Sequence, residues 1–178
     1  MAPSPNDLVF ELLGEHHDRA AFTCSGAEGL ILQEYLRSDA RALREHGRHV
    51  TTVHVPIRKS QPLRICDFMT LSTATVEIEE FPKKLRRALP LYRPMPALRI
   101  GRMAVADEGR GSDVGTLLID EVFRICVQLR DSVGFVALLA DAKTDVLIAY
   151  YEGRGFSRLP ERRRGLFITQ AAMAEIIR

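Results

Sequence analysis

Cysteine is scarce in this sequence: Cys24, Cys66 and Cys126 are odd in number and form neither a CxxC pair nor a zinc-ligand spacing. That argues against a disulfide framework or a zinc module and implies a reducing compartment, the cytoplasm. No run of about 18 apolar residues occurs, so no transmembrane helix and no membrane partner are expected. The opening MAPSPNDLVFELLGEHH lacks a basic segment followed by an apolar one, so no secretory signal is expected either. Excess charge is nearly missing as well. Lys and Arg number 25 against 23 Asp and Glu, and a net +2 is too small to imply nucleic-acid binding by itself. Internal repeats, low-complexity tracts and a second domain are not apparent.

What is present is a globular composition, 46% hydrophobic and 27% charged over 178 residues. This suits one domain spanning 1–178, with 1–7 as a loose terminus, that buries roughly 70% of its unfolded surface without staples. Leu8–Leu13 reads as a first strand. Ala27–Arg44 lacks proline and places Leu32, Leu36, Ala40 and Leu43 at helical spacing, which predicts one or two amphipathic helices. His49–Ile57 and Ile65–Val76 are β-forming runs joined by the polar turn Lys59–Pro62, so they predict a hairpin. The basic, proline-rich stretch 81–96 leaves room for a short helix between Pro82 and Pro90.

Ala97–Ala106 then predicts a strand, DEGRGSDVG a glycine-rich turn, and Thr116–Arg130 a helix with Leu118, Val122, Ile125 and Leu129 on one face. The apolar Gly134–Ala140 suits a central strand. Thr144–Glu152 predicts a short helix ended by Gly153 and Gly155, Leu166–Thr169 a last strand and Ala171–Ile177 a last helix. The fold class is therefore mixed α+β, a sheet of about six or seven strands, largely antiparallel, with helices on its faces.

The strand–turn–helix from Leu98 to Arg130 holds the sharpest chemical signal. A glycine-rich turn feeding a helix N-terminus gathers unpaired N–H groups and the positive end of the helix dipole, which is a phosphate site. It is not a P-loop, because no lysine–hydroxyl pair follows Gly109. It is not a dinucleotide fingerprint, because Gly109, Gly111 and Gly115 are spaced GxGxxxG.

Arg110-Gly111-Ser112-Asp113-Val114-Gly115 resembles the acyl-coenzyme A motif Q/R-x-x-G-x-G/A of GCN5-related N-acetyltransferases, with Asp113 at the first required glycine. Ile100–Val105 resembles that superfamily's fourth strand, Asp141-Ala142 the end of its fifth, and Ala149–Phe156 (AYYEGRGF) its late FYE..GF signature. More narrowly, FTCSG at 22–26 with Tyr35-Leu36, FMTLS at 68–72 and GRMAV at 101–105 resemble acetyltransferase toxins paired with ribbon-helix-helix antitoxins.

The resemblance implies a GNAT-like fold that uses acetyl-CoA as cosubstrate, with no metal. It implies aminoacyl-tRNA as acceptor, a ribbon-helix-helix antitoxin as partner, and a homodimer. Backbone groups of Met103, Ala104 and Val105 would pair with the pantetheine arm. N–H groups from Arg110 through Gly111, Asp113, Val114, Gly115 and Thr116 would receive the pyrophosphate.

Tyr151 would be the general acid, donating a proton to the departing thiolate; without the resemblance it reads more readily as a core tyrosine with a solvated hydroxyl. Asp113 reads either as part of the phosphate loop or as a helix N-cap. A carboxylate about 5 Å from a phosphate charge, at an effective dielectric of 20, is repelled by roughly 3 kcal/mol.

No general base stands out: His54 lies on a strand and His16-His17 in a loop. An α-amine, with a pKa near 8, needs a base less than a lysine side chain does. Lys83, Lys84, Arg86, Arg87, Arg93 and Arg162–Arg164 read as solvated faces or as grips for tRNA phosphates. The cysteines read as small buried apolar residues. Two other readings stay open: acetylation of a small amine or protein N-terminus, and a degenerate, non-catalytic binding protein.

Overall fold

The computed structural model describes residues 7–38, 41–90, 94–111 and 113–178. Ala40, Arg93, Ser112 and most of the terminal stretch named above lie outside the described residues. The strands are β1 (Leu8–Leu12), β2 (Thr52–Arg58), β3 (Gln61–Ile65), β4 (Asp67–Val76), β5 (Met95–Val105), β6 (Ala137–Asp141), β7 (Ser157–Arg158) and β8 (Gly165–Thr169). The helices are α1 (Ala27–Arg37), α2 (Arg41–Gly47), α3 (Lys83–Arg86), α4 (Val114–Leu129), α5 (Asp145–Glu152) and α6 (Gln170–Ile176). The strands are hydrogen-bonded in the order β1-β2-β4-β5-β6-β8-β7, with β3 on β2.

Among the described residues the sheet has eight strands, where about six or seven were expected. The predicted strand Ile65–Val76 is broken at Cys66 into β3 and β4, and the two-residue β7 carries no apolar run that would announce it. The expected hairpin forms, and both halves of the broken strand pair antiparallel with β2. Ile57 faces Ile65 on β3, whereas Thr52 faces Leu71 on β4.

The chain divides into two compact units, and β4, β5 and α4 each contribute residues to both. The first comprises Met1–Ser72 and Gly101–Glu121. Alternation along β2 turns Val53, Val55 and Ile57 inward, where they pack with Phe22, Tyr35, Leu36, Phe68, Ala104 and Ala106. Leu32 and Leu43 lean on the same core from α1 and α2, as their helical spacing predicts. Phe68 is the hub, edge-on to Phe22 at 5.5 Å and stacked with Tyr35 at 5.9 Å.

The second unit comprises Thr73–Ile100 and Val122–Arg178. Here β5 runs parallel to β6 from Ala97↔Ala137 to Ile100↔Ala140, and β8 is antiparallel to both β6 and β7. Residues Ala137–Ala140 are all buried, as their apolar run predicts for a central strand. Phe81 meets Phe167 edge-on at 5.1 Å, and Leu85 and Leu89 pack on this core, so the basic stretch is anchored through its apolar residues.

Along α4 the buried face is wider than the sequence spacing indicates. Leu118, Ile119, Val122, Phe123 and Cys126 are fully buried, whereas Ile125 and Leu129 are half-buried. All three cysteines are buried and free, in keeping with a packing role. Among the described residues no helix is long and apolar enough to cross a membrane.

Candidate functional site

The β5–β6 register ends at Ile100↔Ala140, so Met103, Ala104 and Val105 lie on β5 beyond its pairing with β6. The residues on either side are held from β4 and the break before it: Thr70 Oγ1 accepts from the Arg102 N–H at 2.8 Å, and the Cys66 carbonyl accepts from the Ala106 N–H at 3.2 Å. Gly101 is needed at the entry to this stretch, because a Cβ there would come within 2.8 Å of Thr70 Oγ1.

After Val105 the chain makes a single 3-10 turn, Asp107–Gly109, and reaches α4 through Arg110–Asp113. Gly111 has φ +78°, a left-handed conformation that costs a side-chain-bearing residue energy. Nothing lies within 4 Å of the position a Cβ would take, so the loop is open on that side. The Asp113 carbonyl accepts from the Leu117 N–H at 3.1 Å, which makes Asp113 the N-cap of a 16-residue helix. Helix geometry leaves the first N–H groups of α4, those of Val114 and Gly115 among them, outside the helical ladder, where they favour an anion. The turn, the left-handed glycine and the helix end thus fit a pyrophosphate.

Arg110 has a different task from contacting phosphate through its side chain. Its guanidinium donates to the Ser25 carbonyl, lies 3.5 Å from Cys24 Sγ and pairs with Asp107 at 3.3 Å. Asp107 in turn accepts from the Ser25 N–H at 2.8 Å and from the Ser25 hydroxyl at 2.7 Å, and these bonds hold its carboxyl below the usual range. The segment before α1 is therefore latched to the loop. The FTCSG stretch is thereby joined to the loop, a link that the sequence motifs taken singly do not reveal.

Asp113 is exposed. In near-aqueous dielectric its repulsion of a phosphate about 5 Å away falls to about 1 kcal/mol, well below the roughly 3 kcal/mol expected from sequence. Asp113→Gly is therefore expected to tighten coenzyme binding only about fourfold to tenfold, with little loss of stability because glycine is itself a tolerated cap. Calorimetric titration of wild type and variant checks this, and an unchanged dissociation constant contradicts it.

A cavity of about 450 Å³ opens in the same unit, lined by Leu30, Ile31, Glu34, Tyr35, Ser38 and Arg102. The Arg102 guanidinium sits 4.0 Å above the Tyr35 ring and 3.4 Å from Glu45, which also accepts from the Tyr35 hydroxyl at 2.9 Å. Leu30 and Ile31 are 56% and 65% exposed, a pair of large apolar side chains at the cavity rim. The arginine appears in the GRMAV stretch, but its stacking on Tyr35 requires the fold.

Tyr151 lies on α5 in the second unit, 6% exposed, with its ring 5.1 Å from Phe156 and 5.5 Å from Tyr150. Burial, then Tyr150 and Asp141, push its phenol well above the ordinary range, so it stays protonated at any working pH. Thr144 caps α5 by accepting from the Leu147 N–H at 3.3 Å, and the Tyr151 carbonyl accepts from the Phe156 N–H at 3.1 Å. The YYE..GF signature is thus a capped helix folded back on its own aromatic residues.

His17, His46 and His54 each form a hydrogen bond within the fold. Burial, aided by His46, pushes His54 down to about 4, and its Nε2 is 3.0 Å from Thr52 Oγ1. Glu11, His16 and His17 approach one another closely enough to hold a metal ion. Yet His17 Nδ1 accepts from the Gly14 N–H at 2.9 Å, so in the neutral ring Nε2 carries the proton and has no lone pair to offer.

The basic residues are distributed unevenly. Lys83, Lys84, Arg87 and Arg163 are exposed. Arg162 forms a two-point pair with Glu80, and Arg164 donates to the Lys143 carbonyl. The Arg162–Glu80 pair tethers the 162–164 segment to the stretch leading into α3, so the two basic segments converge at the cost of one arginine.

No family model matches the chain. It is 32% identical over 120 residues to a tRNA-acetylating toxin of Mycobacterium tuberculosis, which spans 67% of this chain and 68% of that protein. Among solved structures, AtaT complexed with acetyl-methionyl-tRNAfMet superposes with a TM-score of 0.86 at 21% identity, covering 97% of this chain and all of that one. AtaTR bound with AcCoA gives a TM-score of 0.80 at 21% identity over 97% of this chain and 99% of that one.

Proposed function

The chain belongs to the family of tRNA-acetylating toxins, and from that membership we propose that it transfers acetyl from acetyl-CoA to the α-amine of an aminoacyl-tRNA. The observation that carries this reading is the 32% identity to the mycobacterial toxin, and the open loop at Gly111 supports it independently. The acetyl-CoA thioester supplies an activated carbonyl and a thiolate leaving group. Met103, Ala104 and Val105 pair with the pantetheine arm through their backbone, and the turn from Arg110 to Thr116 with the start of α4 receives the pyrophosphate. Arg110 contributes its place in the loop, while its guanidinium keeps the loop latched to Ser25.

Tyr151 serves the departing sulfur in this reading. A phenol held above its ordinary range is a weak acid towards a thiolate of pKa about 8.5. Its contribution is therefore a hydrogen bond to the charge developing on sulfur; the acylated α-amine sheds one proton and the thiolate takes one up, so the net transfer leaves Tyr151 protonated. The acceptor needs no dedicated base, because an α-amine with a pKa near 8 is partly neutral at working pH. The aminoacyl end enters the cavity beside Arg102, whose rim of Leu30 and Ile31 suits an apolar side chain. Lys83, Lys84, Arg87 and Arg163 grip tRNA phosphates. The protein works in the cytoplasm as a homodimer and is silenced there by a ribbon-helix-helix antitoxin.

Titration of the purified protein with acetyl-CoA at physiological salt tests the coenzyme half of this reading. A micromolar dissociation constant is expected. No heat of binding up to millimolar coenzyme, in protein shown to be folded, would contradict it.

A further inference from the structure

Beneath the coenzyme loop lies a carboxyl group that neither the motif nor the reaction calls for. Asp67 opens β4 and is fully buried. Its Oδ1 accepts from the Ala106 N–H at 2.8 Å, at the joint between the Met103–Val105 stretch and the 3-10 turn. Its Oδ2 is buried with no hydrogen-bond partner among the described residues. Gly109 sits directly above, where a Cβ would lie 3.6 Å from Asp67 Oδ1 and 3.2 Å from Val105 Cγ1.

A buried carboxylate with one hydrogen bond and a bare second oxygen is a costly arrangement, and a carboxylic acid with its proton on that second oxygen costs less because it carries no charge. We infer that Asp67 is a positioning residue that holds the coenzyme loop as a neutral acid, so that ionising it weakens coenzyme binding. The inference rests on the coenzyme reading of the loop.

Burial favours the neutral acid, while the bond from the Ala106 N–H, the next-largest influence, favours the carboxylate. From the 3-10 turn, Glu108 opposes its ionisation. From β3, Arg64 holds Glu108 at 2.8 Å and so is already engaged. From β2, Arg58 favours ionisation, but this is the weakest of the influences on the carboxyl. The neighbouring Cys66 thiol is itself pushed up by burial and by Asp67. Burial dominates, and the Asp67 carboxyl is pushed up to about 8.

The sign follows from linkage. A pyrophosphate on the loop adds negative charge nearby and raises the carboxyl further, so binding takes up a proton once pH passes the free value. Affinity is then level below about pH 8 and falls above it, by at most one decade per pH unit.

Two readings on the full chain test this. Carbon-detected NMR of the Asp67 side chain without coenzyme should give a midpoint near 8, and a midpoint in the ordinary aspartate range near 4 overturns the inference. Calorimetry with desulfo-coenzyme A, which has no thioester to hydrolyse, is run from about pH 6.5 to 9.5 on wild type and on Asp67→Asn. Wild type should lose about tenfold in affinity above pH 8, and the variant, which cannot ionise there, should show no such slope. The same slope in both proteins, or none in wild type, overturns the inference and leaves the acetyl-CoA reading standing. No binding by wild type at any pH fails that reading, and the coupling with it.

Discussion

Tyr151→Phe should lower turnover about 100-fold to 1000-fold while leaving the dissociation constant for acetyl-CoA unchanged. The substitution removes one hydroxyl and keeps the ring that packs 5.1 Å from Phe156 and 5.5 Å from Tyr150, so the fold of α5 should persist. The loss appears in kcat because a hydrogen bond to developing thiolate charge exists only in the transition state. Since Tyr151 is held protonated by burial, the wild-type rate should show no inflection from this residue at neutral or mildly alkaline pH. Steady-state kinetics with calorimetry for the binding step separates the alternatives. Lost affinity with intact turnover would make Tyr151 a binding residue, and no change in either would return it to the core.

The second large effect concerns the tRNA. Replacing Lys83, Lys84 and Arg87 together by Glu should raise KM for aminoacyl-tRNA about 100-fold at physiological salt, with kcat moving little. These side chains are exposed, and the stretch that carries them is held by Leu85, Leu89 and Phe81 in the core, so the charge reversal should leave the unit folded. Lost phosphate contacts also predict a shallower dependence of log KM on log salt. An unchanged KM and an unchanged salt slope would show that this basic face is merely solvated.

Much of the fold could be read from the sequence because its signals are local and periodic. The apolar run at 134–140 and the strand 97–106 each describe a single element, the helical spacing of Leu32, Leu36 and Leu43 describes the pair α1 and α2, and the structure bears them out. The break at Cys66 could not be read, because both sides of it are β-forming and only pairing with β2 at two different places separates them. The turn between β5 and α4 was legible through its glycines, and Gly111 there adopts a left-handed backbone.

Asp113 was legible as a cap, but not its exposure, and exposure sets the size of the repulsion. Asp67 was the residue missed. A charged residue inside the apolar ICDFMTLS stretch is a signal, but its partner, the Ala106 N–H, lies 39 residues away and appears only once β4 and β5 are side by side. The Ser25–Asp107 latch spans 82 residues and was hidden for the same reason.

Acetyl transfer itself is the most direct measurement. Purified protein is incubated with radiolabelled acetyl-CoA and a bulk aminoacyl-tRNA pool, and label is followed into the α-amine after release of the amino acid from tRNA. The account predicts label that requires aminoacylated tRNA, is absent with deacylated tRNA, and drops sharply with Tyr151→Phe. Binding of acetyl-CoA with no label on any aminoacyl-tRNA, or equal label on free amino acids, would contradict it.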